Sequence, residues 1–382
     1  MKRAYFDNNA STPLDPVVRE AMLPYLTDCY GNPSSGHSFG ERARQGVEEA
    51  RAQVAALLNC RPDRIVLNSG GSEANNAAIL SVAMATPTKK HIVSSRVEHA
   101  SVLSPLRFWA SRGYEVELLP VDRHGALDLD RLTRAIRPET ALVSLMAANN
   151  ETGVLWDLAA ISAICQRQGV LFHTDAIQFA GKEFIDLEAI PIDYLTIAGH
   201  KLHGPKGSGA LYVRRSAPVT PLVLGADQEN GRRAGTENVA AIVGLGRACV
   251  LAASHLPIYA RRVAALRDRI ETAILAEIPE ARINGQQSPR LANTLNVSFA
   301  RCSSAQLIQD LDDQGFAVSA HSACQSGDLD PSHVLLAMGV PEEYRHGTLR
   351  ISLSRFTAET EVDGLVAVLP EAVRKSRQGF AG

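Results

Sequence analysis

Short apolar runs alternate with helix-period segments between about residue 60 and residue 215. Apolar runs of four or five residues predict buried strands, and apolar positions three or four residues apart predict amphipathic helices. The predicted strands are 64–67, 91–94, 115–119, 141–145, 170–173, 194–197 and 210–213. The predicted helices between them include 73–84, 101–111, 129–136 and 158–168. This alternation predicts an α/β fold with a large, mostly parallel sheet and helices on both of its faces.

The pattern changes after Thr236. Two long helices are predicted at 238–254 and 259–277, and Pro257 is expected to separate them because proline lacks the N–H that a helix interior needs. Shorter elements follow: strands at 294–299, 316–319 and 348–353, and helices at 304–314, 331–338 and from about 359 onward. We therefore predict a large domain over residues 14–255 and a smaller α+β domain formed by 1–13 and 256–382.

The composition narrows the class of protein. The chain has 382 residues, 45% of them hydrophobic, and a net charge of −2, which argues against a nucleic acid partner. Its N-terminus becomes polar too soon for a signal peptide, and no apolar stretch is expected to span a bilayer. The six cysteines are scattered without a C-x-x-C pair, so they indicate neither a disulfide framework nor a zinc site. These features predict a cytoplasmic protein.

The pair Lys201 and Asp175 is the strongest chemical signal. Lys201 stands in a glycine-bracketed turn after strand 194–197, and Asp175 ends strand 170–173, about one β-α-β spacing upstream. A lysine can form a Schiff base with the aldehyde of pyridoxal 5'-phosphate, and a carboxylate can keep the pyridine nitrogen protonated. A single lysine in a loop is more often a surface residue. Agreement with the features below favours the cofactor site.

A phosphate site is predicted where strand 64–67 leads into a helix. Gly71 and Ser72 lie at this helix N-terminus, whose backbone N–H groups attract anions. His200 and Thr236 could donate to the same phosphate. A glycine-serine turn is also an ordinary helix cap, and that alternative stays open when the turn is taken alone.

Polar residues follow other strands at the carboxyl edge of the sheet, where open α/β folds bind ligands. His99 comes after strand 91–94 and could stack on a pyridine ring or cap the next helix. Asn150 follows strand 141–145 and could bind a cofactor hydroxyl or a substrate carboxylate, or only shape a turn. Gln178, three residues after Asp175, would lie near the cofactor's phenolic oxygen if a helix starts there.

Two residues of the predicted small domain complete the candidate site. Cys324 lies in the polar, small-residue segment Ser319-Ala320-His321-Ser322-Ala323-Cys324-Gln325-Ser326-Gly327, which favours a nucleophilic thiol over a half-buried structural one. Arg350, on strand 348–353, could bind a substrate α-carboxylate through its guanidinium fork or form a surface ion pair.

These residues lie in segments that resemble the class I cysteine desulfurases, which serve nitrogen fixation and iron–sulfur cluster assembly. This family has the aminotransferase-like fold of the fold type I pyridoxal phosphate enzymes. The matching segments are Phe6-Asp7-Asn8-Asn9-Ala10-Ser11-Thr12-Pro13, Gly31-Asn32-Pro33-Ser34-Ser35, Ser69-Gly70-Gly71-Ser72-Glu73-Ala74-Asn75-Asn76, Val97-Glu98-His99, Asn149-Asn150-Glu151-Thr152-Gly153, His173-Thr174-Asp175-Ala176-Ile177-Gln178, Gly199-His200-Lys201, Gly204-Pro205-Lys206-Gly207, Arg233-Ala234-Gly235-Thr236-Glu237-Asn238 and Ser322-Ala323-Cys324. They follow one another in order over nearly the whole chain.

The resemblance implies a homodimer that converts L-cysteine to L-alanine and passes sulfur to an acceptor or scaffold protein. Lys201 would carry the cofactor and move the substrate's α-proton, and Cys324 would take the sulfur as a persulfide. The implied cofactor-binding residues are Gly71, Ser72, His99, Asn150, Asp175, Gln178, His200 and, from the partner subunit, Thr236. Asn32, Asn150 and Arg350 would orient the substrate.

Two positions depart from the family pattern. Ala198 stands where the family often has a phosphate-binding serine, and His321 stands where it often has glycine. An aminotransferase or selenocysteine lyase on the same fold, or a partner-binding protein without activity, remain alternatives. The acceptor pathway stays open between iron–sulfur clusters, tRNA thiolation and DNA sulfur modification.

Overall fold

The computed structural model describes residues 3–320 and 331–379, where strands and helices alternate as the hydrophobic pattern predicts. The strands are β1 Ala4–Tyr5, β2 Ile65–Asn68, β3 His91–Ser95, β4 Glu115–Leu119, β5 Thr140–Ser144, β6 Leu171–Asp175, β7 Tyr194–Ala198, β8 Gly209–Val213, β9 Ala281–Ile283, β10 Thr294–Phe299, β11 Phe316–Ala317 and β12 Thr348–Ser352. The helices are α1 Pro16–Thr27, α2 Ser38–Leu57, α3 Gly71–Ala85, α4 Ala100–Ala110, α5 Leu129–Ala135, α6 Leu158–Gln168, α7 Val239–Glu277, α8 Ser304–Asp313, α9 His333–Ala337, α10 Glu342–Arg345 and α11 Glu359–Gly379.

Seven strands form the central sheet in the order β2-β8-β7-β6-β5-β3-β4. The pairs from β7 through β6, β5 and β3 to β4 are parallel, and β8 runs antiparallel to both β2 and β7. Apart from the edge strand β4, their residues are almost all buried, as expected for a sheet covered on both faces. Strands β2, β3, β5, β6 and β7 therefore end at one edge of the sheet, which is the edge expected to bind a ligand.

Helix α7 corrects the prediction of two helices separated by Pro257. It is one helix of 39 residues that contains Pro257, packed against α1 and α2. Pro257 has no N–H to donate to the Ala253 carbonyl four residues earlier. Both residues are exposed, so water can satisfy that carbonyl. Buried side chains continue on both sides, with Ala252 before and Val263 after the proline. Packing along the helix outweighs the local cost of the proline.

The same helix also corrects the expectation that no apolar stretch could span a bilayer. Helix α7 is long and apolar enough to do so by length and composition. Half of its most apolar window is buried inside the protein. The core helix of a protein can have this length and apolar composition without a membrane, and the contacts of α7 with α1 and α2 are those of a core helix.

The second part of the fold contains a three-stranded antiparallel sheet, β12-β10-β9, and the parallel pair β1–β11. Its apolar core is separate from the core of the large sheet and includes Phe6, Phe299, Ile351 and Leu365. Helix α9 is an exception, since its Val334 and Leu335 pack into the large core. The domain boundary that we predicted near residue 255 falls inside α7. The division at that residue stays a prediction.

Candidate active site

A cavity of about 190 Å³ lies at the carboxyl edge of the central sheet. The structure brings nine of the predicted site residues to its walls: Gly71, Ser72, His99, Asn150, Asp175, Gln178, His200, Lys201 and Arg350. Most of them follow β2, β3, β5, β6 or β7 directly, because parallel strands end at a common edge. Arg350 reaches the cavity from β12 on the opposite side.

Lys201 lies on the short 3₁₀ turn Gly199–Lys201, immediately after β7. Its Nζ donates to the carbonyl of Asn9 at 2.5 Å and to that of Ala10 at 2.8 Å. These two carbonyls belong to the N-terminal segment, which crosses the cavity wall. The amine is therefore held at the cavity by backbone oxygens 191 and 192 residues away in sequence.

Asp175 and His99 are linked by two residues to which the sequence analysis assigned no role. Asn75 donates to the Asp175 Oδ2 at 2.7 Å and to the Ser101 Oγ at 2.8 Å. The Ser101 N–H and hydroxyl both contact the Nδ1 of His99, at 3.1 and 2.8 Å. Because the backbone N–H is a donor, Nδ1 must accept, which leaves the proton of the neutral ring on Nε2. His99 thus caps α4 and also lines the cavity.

The charge states of this pair follow from their burial. Burial raises the pKa of the Asp175 carboxyl, although His99, the Ile177 N–H and Asn75 oppose that change. Burial lowers the pKa of the His99 imidazole, which agrees with a neutral ring whose Nδ1 is an acceptor. An unpaired buried carboxylate is costly, so a cationic N–H placed opposite Asp175 would be stabilised.

Gln178 lies on a turn rather than on the helix that was considered for this position. It is buried, and its Nε2 donates to the Asn9 carbonyl at 2.9 Å. Asn149, which precedes Asn150, accepts from the N–H groups of Glu151 and Thr152 and so shapes the turn. Asn150 itself faces the cavity, and its carbonyl accepts from Arg350 at 3.2 Å.

Arg350 is buried, with 1% of its surface exposed, which rules out a surface ion pair. It forms a salt bridge with Asp7 at 2.7 Å, and its Nε has no partner among the described residues. A buried N–H without an acceptor is costly, so a ligand carboxylate would be a favourable addition here.

The N-terminus of α3 has the properties of an anion site. Gly70 has φ = +139°, and within the described ranges 3–320 and 331–379 no side chain caps the helix, so its first N–H groups are open to a ligand. A Cβ at Gly71 would lie 2.1 Å from the Ile177 Cδ1, so a larger residue would clash with Ile177, which also lines the cavity. His200 lies beside it, and burial together with the charge of Lys201 lowers its pKa to about 4. Ala198 also lines this wall and offers no hydroxyl.

Three predicted site residues are not brought to this cavity by the described structure. Asn32 is exposed, and its side chain accepts from the Ser34 N–H at 2.9 Å. Thr236 is exposed and lines a different cavity of about 210 Å³. Cys324, like His321, lies outside the described residues.

The segment that carries Thr236 is attached to the large domain by two arginine–glutamate pairs. Arg51 binds both carboxylate oxygens of the buried Glu229, at 2.6 and 2.7 Å. Arg233 pairs with Glu73 of α3 at 2.9 Å. Charge-assisted, bidentate contacts of this kind fix geometry, so this segment is held firmly against the end of α3 that borders the cavity.

Comparison with known proteins agrees with this architecture. The model of the aminotransferase class-V family matches residues 4–365, so the chain belongs to that family. Within it, the chain is 47% identical to a cysteine desulfurase of Trichormus azollae over 99% of its own length and 94% of the relative's. It is 44% identical, with the same coverage, to the cysteine desulfurase NifS of Azotobacter vinelandii. A solved NifS-like protein superposes with a TM-score of 0.92 at 35% identity, covering 98% of this chain and all of the other. The predicted fold and the resemblance to cysteine desulfurases are confirmed.

Proposed function

We propose that this chain is a pyridoxal 5'-phosphate-dependent cysteine desulfurase that converts L-cysteine to L-alanine and receives the sulfur on Cys324. The central observation is that Lys201, Asp175 and the uncapped end of α3 line one cavity. These are the three partners that the aldehyde, the ring nitrogen and the phosphate of the cofactor require. The names and similarity of the relatives support the reaction.

The residues of the cavity fit the cofactor. The oxygens of the buried Asp175 accept from two neutral donors, Asn75 and the Ile177 N–H, so a cationic ring N–H opposite this carboxyl would be favourable. Gly71, Ser72 and His200 would hold the phosphate, and Gln178 would donate to the ring oxygen. His99 would lie against the ring. When bound, the cofactor supplies an electron sink that makes the α-proton and the β-substituent of an amino acid labile.

The protein's own groups then have separate tasks. Lys201 would carry the cofactor and, once released, would take the α-proton of the substrate. Arg350 and Asn150 would hold the substrate α-carboxylate, and we keep Asn32 as a third substrate residue. Asp175 would keep a proton on the ring nitrogen opposite it. These roles extend to this chain what the fold and the family imply.

Sulfur transfer requires a thiolate. The thiolate of Cys324 would attack the Sγ of the substrate, forming an S–S bond while the Cβ–Sγ bond breaks. The electron pair returns to the substrate carbon skeleton, which takes up protons and leaves as alanine. Burial raises the pKa of Cys60, Cys165 and Cys249 to about 12, so these thiols are poor candidates.

The enzyme would act as a homodimer with Thr236 of each subunit at the partner's phosphate site. This proposal is supported by the exposure of Thr236 and by its position outside the cavity of its own chain. We also expect the enzyme to be cytoplasmic. Its partners would be L-cysteine and a sulfur-acceptor or scaffold protein, and it would make no direct contact with nucleic acid or membrane.

The test is to incubate the holoprotein with L-cysteine and analyse its cysteine peptides by mass spectrometry. One additional sulfur is expected on the peptide that contains Cys324, together with release of alanine. Cys29→Ala is the matched control and should keep both signals, whereas Cys324→Ala should lose sulfur transfer and retain the cofactor. Sulfur on another cysteine would disprove the role of Cys324. Transamination that survives Cys324→Ala would favour an aminotransferase.

A further inference from the structure

Lys182 is a buried lysine to which the proposed mechanism gives no task. Only 6% of its surface is exposed, and its Nζ donates to the Oε1 of Gln178 at 2.7 Å. Gly181, at φ = +70°, turns the chain there, and a Cβ at that position would lie 2.6 Å from Leu202. The turn therefore aims the lysine into the protein behind the cofactor cavity.

The electrostatic surroundings of Lys182 are unusual for a buried amine. Burial, followed by the positive charges of Lys201 and Arg350, lowers its pKa to about 7. Among the described residues, no carboxylate forms a salt bridge with it, although buried lysines are usually paired. Such an arrangement costs stability, which indicates that the residue serves the site rather than the fold.

Two contacts set the orientation of the Gln178 amide. The Asn9 carbonyl can only accept, so the NH₂ group of the amide must face it, and Lys182 donates to the amide oxygen on the other side. That NH₂ donates to the Asn9 carbonyl, which also accepts from Lys201 at 2.5 Å. The two lysines are thus connected through one side-chain amide and one backbone carbonyl.

A second, smaller cavity of about 20 Å³ is lined by both Lys182 and Lys201. Asn8, 2% exposed, lines it, and its Oδ1 has no partner among the described residues. The volume suits a single water molecule that could satisfy this oxygen. The titratable and charged groups around the small cavity are His203, His255, Tyr259 and Arg355.

We propose that Lys182 is a positioning residue that holds the Gln178 amide with its NH₂ group toward the cofactor's ring oxygen. This inference rests on the proposed function, because it assumes that the cofactor occupies the cavity. A donated N–H and a nearby positive charge both favour the deprotonated form of a ring oxygen. Lys182 therefore lowers the pH at which the bound cofactor loses its proton.

The experiment is a pH titration of cofactor absorbance in the holoenzyme. In Lys182→Met the midpoint is expected to rise by about one pH unit, because the amide oxygen loses the donor that holds it and the nearby positive charge is lost. Lys182→Arg, which keeps a donor and a charge, should stay closer to the wild type than to Lys182→Met. Lys90→Met, at an exposed lysine, is the control and should leave the midpoint unchanged.

The outcomes separate this inference from the proposed function. A wild-type protein that shows no cofactor absorbance with pyridoxal 5'-phosphate overturns both. A normal wild-type titration with an unchanged midpoint in Lys182→Met overturns only the role of Lys182. If Lys182→Met does not fold, Lys182→Gln, which keeps a donor but no charge, replaces it. A midpoint in that variant equal to the wild type refutes the contribution of the charge.

Discussion

The buried pair Arg51–Glu229 gives a direct prediction about what holds the segment 228–238 in place. The side chains of Arg51 and Glu229 are 8% and 3% exposed, and Glu229 also accepts from the Leu67 N–H at 2.8 Å. Arg51→Met removes both charged contacts and leaves a buried carboxylate with one backbone donor. Stranding a buried charge in this way costs about 3–5 kcal/mol of unfolding free energy, far more than losing a surface pair.

The assay is urea denaturation of the wild type, Arg51→Met, Glu229→Met and the double variant. Arg374→Met is the matched control, since Arg374 forms a two-pronged pair with Glu371 whose side chains are 58% and 47% exposed. That variant should lose far less than Arg51→Met, because water screens an exposed pair. The double variant should recover much of the loss, because it leaves neither charge unpaired.

Two results would refute the conclusion that this buried pair holds the segment in place. One is a loss of unfolding free energy below about 1 kcal/mol in Arg51→Met, and the other is a loss in the double variant equal to the sum of the two single losses.

Three further predictions concern the site and the fold. Asp175→Asn should retain the cofactor and reduce the rate of desulfuration by about 100-fold, which corresponds to a change of two pKa units at the ring nitrogen. An activity within tenfold of the wild type would contradict the role of Asp175. Burial raises the pKa of Glu98 from 4.5 to about 8, so the folded protein keeps a proton that the unfolded chain loses. The unfolding free energy of the protein should therefore fall as the pH rises from 4.5 to 8. In denaturant titrations, Glu98→Gln should make this fall smaller, and an unchanged fall would refute the role given to Glu98. Pro257→Ala should raise the unfolding free energy by about 1–3 kcal/mol in the same assay, because alanine restores a helical N–H. A lower unfolding free energy would refute the explanation that packing along α7 outweighs the local cost of the proline.

The sequence could predict residues whose position depends on a strand end. Asp175 is the last residue of β6, Lys201 and His99 come after β7 and β3, and these strands end at the same edge of the sheet. Hydrophobic periodicity identifies the strands, and so it also identifies which polar residues converge. The number of residues between them in the sequence therefore does not decide whether they meet in the folded protein.

Other residues could not be predicted because their partners are set by packing. Asn75 lies on α3, 100 residues before Asp175, and bridges it to Ser101 only once α3 and α4 lie against the sheet. Likewise, Pro257 is a valid helix-ending signal in isolation. It fails here because buried side chains on both sides of it stabilise one continuous helix.

The N-terminal segment shows a further limit of sequence reasoning, since it contributes to the site through its backbone. The Asn9 carbonyl accepts from both Lys201 and Gln178, and the Ala10 carbonyl accepts from Lys201. Asp7 of the same segment pairs with Arg350 on the opposite wall. Every residue has a carbonyl, so no side-chain pattern distinguishes these two. Their importance follows from the close approach of the segment, which the Asn9 side chain supports by donating to the Asn150 carbonyl at 3.1 Å and accepting from Asn293 at 2.9 Å.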